Sequence, residues 1–252
     1  MTVQILGEPW DTITGCTKIS AGCKNCYAER VTDWMIQLKK AKYQAGFHSV
    51  ACHDYVLDMP VKRKKPQTYF VNSMSDTFHK DVPLEFIQKI YQVMNDCPRH
   101  TFQVLTKRSE RMVETAPNMN YSENIWHGVS VERPDCVYRI DDLKKTPARV
   151  KFVMFEPLVG RIGKVDFNGI DWVIVGGESG NSWRPMETAW AREIRDQCID
   201  AEVKFVFKQY SAKKPEPLGR ELDGIVWDER PPYEFERRLQ NQSNHLLGLF
   251  GF

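Results

Sequence analysis

The chain has 252 residues, of which 42% are hydrophobic and 27% charged, with a formal net charge of +2. That length can bury a substantial single core, and no apolar run approaches the span of a bilayer, so a membrane association is not expected. The charge is too balanced to imply a polyanionic partner by itself; cations gather locally, at Lys39, Lys40 and Lys42 and again at Lys62-Arg63-Lys64-Lys65. Seven cysteines, an odd number, and no apolar signal stretch after Met1 point to a reducing, cytoplasmic setting and away from a disulfide framework.

In chain order the first feature is a C-x6-C-x2-C loop that places Cys16, Cys23 and Cys26 within eleven residues, among Thr, Lys, Ser, Gly and Asn. Such surroundings do not suit a buried core thiol, whereas three thiolates suit a metal site. A structural zinc wants four protein ligands, and Cys52 or His53 would have to complete one. A [4Fe–4S] cluster on three cysteines leaves one iron open to a further ligand. The cluster is the preferred reading, with a zinc knuckle on Cys23-x2-Cys26 as its rival.

After the loop a helix is expected from Tyr27 to Ala45. Short β-rich runs then alternate with amphipathic segments. Strand Thr68–Asn72 precedes a helix over Pro83–Cys97, with Leu84, Ile87, Ile90, Tyr91 and Met94 on one face. Strand His100–Thr106 precedes helix Ser109–Thr115, and Ile125–Val131 precedes Asp135–Lys145. Strand Val150–Phe155 follows, then Trp172–Val175 before helix Glu187–Ile199, and Val203–Lys208 closes the series. Six strand–helix units imply a parallel sheet covered by helices. With no early G-x-G-x-x-G, an α/β fold of partial TIM-type (β/α)6 barrel architecture fits better than a dinucleotide-binding one. Barrel function sits at the carboxyl ends of the strands. Here those ends read Asn72-Ser-Met-Ser-Asp76, Thr106-Lys-Arg108, Ser130-Val-Glu132, Glu156-Pro157, Gly176-Gly-Glu-Ser-Gly180 and Lys208-Gln-Tyr210. Lys107, Arg108, Lys208 and Gln209 are candidate substrate-binding groups, and Cys97, Cys136 and Cys198 read as core. Residues 1–210 form the expected barrel. Residues 211–252 form an extension whose apolar end, Leu246 to Phe252, would cover the open side of the barrel or join two subunits.

Seven motifs in order carry a resemblance: Trp10-Asp-Thr-Ile-Thr-Gly-Cys16, the cysteine loop through Cys26-Tyr-Ala-Glu29, Leu105-Thr-Lys-Arg108, Gly128-Val-Ser-Val-Glu132, Phe155-Glu-Pro-Leu-Val-Gly160, Val173-Ile-Val-Gly-Gly-Glu-Ser-Gly180 and Phe207-Lys-Gln209. From Trp10 to Tyr210 the chain resembles a phage-associated, radical-SAM-like protein family that is distantly similar to spore photoproduct lyase. The resemblance implies a partial barrel of the radical SAM type with an N-terminal cluster loop, holding a [4Fe–4S] cluster on Cys16, Cys23 and Cys26 and cleaving S-adenosylmethionine reductively to a 5′-deoxyadenosyl radical. The usual radical-SAM loop is C-x3-C-x2-C, so the C-x6-C-x2-C loop of this chain and the family it resembles is a departure. By position, the resemblance assigns S-adenosylmethionine to Ser73, Ser75, Asp76, Ser130, Glu132, Glu156, Gly176, Gly177 and Glu178. It leaves Lys107, Arg108 and Cys52 as catalytic candidates and Lys208 and Gln209 as substrate contacts. An external electron donor of the flavodoxin or ferredoxin type is implied. The expected substrate is a modified thymine base in phage DNA or its nucleotide, in an isomerase or lyase reaction; the basic runs and Trp10, Trp34, Tyr43 and Phe47 are the candidate contacts to it. A small-metabolite substrate and a non-catalytic zinc-knuckle nucleic-acid-binding protein are the alternatives.

Overall fold

A computed structural model of the chain describes residues 5–233 and residue 236. Seven strands form one parallel sheet: β1 (Glu8–Trp10), β2 (Thr68–Val71), β3 (Thr101–Thr106), β4 (Ile125–Ser130), β5 (Val150–Phe155), β6 (Trp172–Gly176) and β7 (Lys204–Gln209). Their spatial order is their chain order, and the sheet curls into a half-barrel with β1 and β7 at its open edges. Every connection therefore returns the chain to the amino end of the next strand, as parallel pairing demands.

Alternate side chains divide each strand between two faces. On the convex face, Tyr69, Val71, Phe102, Val104, Val153, Phe155, Phe205 and Phe207 pack under the helices α2 (Leu84–Asp96), α3 (Ser109–Thr115), α4 (Tyr138–Lys144) and α5 (Thr188–Asp200). Helix α2 carries Ile87, Ile90, Tyr91 and Met94 into that core, the face its spacing predicts. On the concave face, Trp126, Phe152, Met154, Trp172, Ile174 and Val206 join Ile5 in a second core. Gly128 is what admits Phe152 there, because a Cβ on residue 128 would overlap its ring.

Several elements depart from expectation. The seventh strand, β1, lies in the Gly7–Trp10 stretch, too short to show an alternating pattern. It pairs in parallel with β2 from Glu8↔Tyr69 to Trp10↔Val71. The crossover from β5 to β6 carries no helix among the described residues. Helix α1 covers Tyr27–Gln37, not Tyr27–Ala45. It ends in a Schellman arrangement: the Lys39 amide donates to the Ile36 carbonyl at 2.8 Å and the Lys40 amide to Met35 at 3.0 Å, with Lys39 in the left-handed region at φ 54°. Helix α4 starts three residues late, at Tyr138, because Pro134–Cys136 forms a 3-10 turn first.

The described part of the C-terminal extension turns back onto the sheet. The Trp172 indole donates to the Glu229 carbonyl at 2.8 Å, and Tyr233 stacks on Trp126 with ring centroids 5.6 Å apart. Both tryptophans stand near the amino ends of their strands, so this segment and Ile5 close the concave face at that end and leave the carboxyl end open. The Leu246–Phe252 stretch lies outside the described residues. Among the described residues no helix is long and apolar enough to cross a membrane.

Candidate functional site

At the carboxyl ends of the strands lies a cavity of about 720 Å³, and all six of the polar strand ends read from the sequence contribute to its wall. Cys16, Cys23 and Cys26 line it together with Ser73, Ser75, Asp76, Lys107, Arg108, Ser130, Glu156, Gly177, Glu178, Lys208 and Gln209, over an apolar floor that includes Phe70, Leu105 and Met154. Strand register explains the convergence: Trp10↔Val71, Thr106↔Val129, Ser130↔Met154, Phe155↔Val175 and Gly176↔Gln209 align the ends across the sheet.

The cysteine loop enters from a short hairpin, Ile13–Thr14 against Ala51–Cys52. Gly15 turns it with φ 82°, where a Cβ would overlap the Ser49 carbonyl. The Cys16 amide donates to Phe47 at 2.7 Å. Thr17 is held by the His79 imidazole and the Arg108 guanidinium, each at 2.8 Å from its hydroxyl. Further on, the Gly22 amide donates to Glu132 Oε1 at 3.0 Å and the Asn25 amide group to Glu178 Oε2 at 3.0 Å. Cys26 then caps α1. All three thiols are free and half-buried. Burial pushes the Cys16 thiol up to about 12, with Asp76, Cys23 and Cys26 adding to the rise and Arg108 opposing it. A cation bound to the Cys16 thiolate would oppose that rise.

Much of the polar wall is already engaged. Asn72, itself at φ 57°, accepts from the Thr12 and Ile13 amides at 2.8 and 3.0 Å, pinning the turn after β1 to the end of β2. The Ser73 hydroxyl donates to Asp11 at 3.0 Å, and Ser75 donates to the Gly15 carbonyl. Asp76 accepts from the Thr106 hydroxyl at 2.7 Å, the Phe78 amide at 3.0 Å and the Lys107 amide at 3.1 Å. Lys208 and Glu156 form an ion pair at 2.7 Å on the cavity wall. The Lys107 ammonium has no hydrogen-bond or ion-pair partner among the described residues.

Three placements differ from the sequence reading. Glu132 does not line the cavity; it is fully buried behind the cysteine loop, paired with Arg139 at 3.0 Å. Glu178 lines the cavity, but its Oε2 accepts from Asn25, the Arg184 amide and Arg184 Nε, and its Oε1 accepts from Arg184 Nη2, so both oxygens are already engaged within the protein. Gly177 lines the cavity and Gly176 does not; a Cβ on Gly177 would overlap the Ser211 backbone, and one on Gly176 would come within 3.1 Å of Glu156.

Other candidates fall elsewhere. Cys52 pairs with Ile13 in the hairpin and packs on the convex core, and His53 is bound to the Thr14 hydroxyl at 2.8 Å; neither lines the cavity. Trp10 is buried in the convex core beside Tyr69 and Phe102, so it offers no stacking face, while Trp34 is exposed and Phe47 lines the cavity. The Lys62–Lys65 run sits by the amino ends of β1 and β2, where Arg63 pairs with Glu8 at 3.2 Å and hydrogen-bonds Gln67, at the opposite end of the strands from the cavity. Lys42 donates to the Asp11 carbonyl, and burial lowers its affinity for a proton.

Among the described residues no three Cys, His, Asp or Glu side chains gather closely enough to hold a single metal ion. A four-iron cluster asks for something else, since each thiolate binds a different iron. The three thiols, none in a disulfide, stand on the wall of one cavity that no further Cys or His lines among the described residues; three thiolates are the donor set of a [4Fe–4S] cluster, whereas a structural zinc takes four ligands.

Comparison with curated proteins and with solved structures gives no match. A family model does match, over residues 2–231, which takes in the whole sheet, the cysteine loop and every wall of the cavity. The chain therefore belongs to the family described as protein of unknown function (DUF5131).

Proposed function

We propose that this protein is a radical S-adenosylmethionine enzyme that carries a [4Fe–4S] cluster on Cys16, Cys23 and Cys26. The observation that supports it most directly is the position of those three free thiols on the wall of a single cavity at the carboxyl ends of a curled parallel sheet. Bound there, the cluster and S-adenosylmethionine would supply a 5′-deoxyadenosyl radical, the hard chemistry that a protein leaves to its cofactors. The chain's own residues bind, orient and exclude water. Ser130 and the Glu156–Lys208 pair face the same space as the thiols, and the Ser73–Asp76 turn shapes its wall. Phe70, Leu105 and Met154 give the floor a dry surface. Electrons come from an external donor of the flavodoxin or ferredoxin type, in a cytoplasmic setting that the free state of all seven cysteines supports.

For the substrate we propose a thymine-derived base, in DNA or as its nucleotide, rearranged or cleaved in an isomerase- or lyase-type reaction. Lys107, whose ammonium makes no hydrogen bond or close ion pair among the described residues although Glu132 feels its charge, offers with Arg108 cationic donors to a carbonyl-rich ring or a phosphate. A base inside a duplex would have to be flipped out to reach the cavity. Lys62–Lys65, at the other end of the strands, takes no part in holding it.

Anaerobic purification and reconstitution test the cluster: the natural protein should be brown and hold about four irons per chain. Cys16→Ala, Cys23→Ala and Cys26→Ala should each lose them, whereas Cys52→Ala should not. Colourless protein with stoichiometric zinc would overturn the proposal. Dithionite and S-adenosylmethionine should yield 5′-deoxyadenosine, and mass spectrometry of nucleosides from phage-modified DNA tests the substrate. Unchanged nucleosides alongside turnover of a free metabolite would move the assignment to a small molecule.

A further inference from the structure

We propose that Glu132 and Glu178 are positioning residues that brace the cysteine loop from two strand ends and so set where the three thiols stand, an inference that rests on the cluster reading above. Glu132, just past β4, has no exposed surface. Its Oε1 accepts from the Gly22 amide at 3.0 Å, and its Oε2 accepts from Arg139 Nη1 at 3.0 Å. Arg139 is itself 2% exposed and also donates to the Ser130 carbonyl at 2.8 Å, so the acid is locked to its own strand end. The carboxyl group lies against the Gly22 backbone: a Cβ on residue 22 would come within 2.9 Å of Glu132 Cδ. Only a glycine lets the loop settle on the acid at that distance.

Glu178, just past β6, does the same one turn later. It is 5% exposed, is clamped on both oxygens by Arg184, and accepts from Asn25 between Cys23 and Cys26. Nearby cationic and amide donors outweigh burial and hold both carboxyl groups below the usual carboxylate range, so both stay charged and keep accepting at neutral pH. Glu132 stands off the cavity wall, and both oxygens of Glu178 already accept from Arg184, which sets them apart from groups given over to a ligand. Residues that orient metal ligands in this way matter nearly as much as the ligands themselves.

Gly22→Ala is the discriminating variant. The expected result is a fall in iron affinity of about 10-fold to 100-fold, read by chelator competition on reconstituted protein, with the melting temperature of the iron-free protein unchanged. Adding Glu132→Asp should restore iron, because the shorter acid vacates the space the new methyl group needs. Asn25→Ala should lower iron from the Glu178 side. Natural protein that takes up no iron would overturn the cluster reading itself. Natural and Gly22→Ala proteins that load iron alike would overturn the brace and leave that reading standing. So would iron loss matched by a fall in the melting temperature of the iron-free protein, which would make Gly22 an ordinary structural residue. Iron loss that Glu132→Asp does not repair would remove Glu132 from the role.

Discussion

Single residues decide whether the concave face can be packed at all. Gly128 sits on β4 opposite Phe152 of β5, and any Cβ there would occupy the ring's place. Gly128→Ala should therefore cost about 1–3 kcal/mol by overpacking. Urea denaturation checks this, and Phe152→Leu in the same chain should recover most of the loss by giving the methyl group room. The same logic explains why the β2 end holds an asparagine in the left-handed region. Asn72 at φ 57° is a residue type that tolerates such a backbone, and its side chain accepts from Thr12 and Ile13 while donating to the Thr77 hydroxyl at 2.9 Å. That one side chain ties the approach to the cysteine loop to the sheet.

At the scale of the element, α1 shows how a helix with continuing helix formers can stop. Nothing in Leu38-Lys39-Lys40-Ala41-Lys42 forbids another turn, yet Lys39 takes the left-handed conformation and the chain leaves to clip Cys16 through Phe47. The cost of placing a lysine there is roughly 1–2 kcal/mol. Lys39→Gly should thus stabilise the protein by about 0.5–1 kcal/mol, the left-handed penalty less the entropy glycine surrenders on folding. A higher denaturation midpoint with an unchanged denaturant slope checks it; a lower midpoint would show that the lysine side chain contributes more than its backbone costs.

Across the whole molecule the convex core buries its histidines neutral. His127 lies among Phe78, Tyr91 and Tyr121, and burial lowers its pKa from 6.5 to about 3. Burial lowers His53, His79 and His100 as well. The unfolded chain takes up protons near 6.5 that the folded chain refuses. Stability is therefore full above the unfolded value and is lost as pH falls from 6.5 toward 3, by up to about 1.4 kcal/mol per pH unit for His127. Urea denaturation between pH 6.5 and 5, above the range where carboxylates titrate, should show this slope, and His127→Gln should flatten it. A pH-independent midpoint over that window would contradict the burial of these rings.

The order of six strands, the helices between them and the polar sequences at their carboxyl ends were legible in the chain, because periodicity and turn chemistry are local properties. So was the cysteine loop as a metal-binding candidate, since thiol spacing is written along the chain. Strand β1 was not, because three residues cannot display an alternation and their pairing with β2 spans the whole cysteine segment. Nor could the sequence tell which acids face the cavity. Gly22 meets Glu132 from 110 residues away and Asn25 meets Glu178 from 153, so only folding shows that these carboxylates hold the loop while Asp76, Glu156 and Lys107 stand at the wall. The basic run at Lys62–Lys65 reads in sequence as a neighbour of the loop, but the crossover between β1 and β2 carries it to the other end of the strands. Local pattern determined what the elements are; the register of the parallel strands decided which side chains share a space.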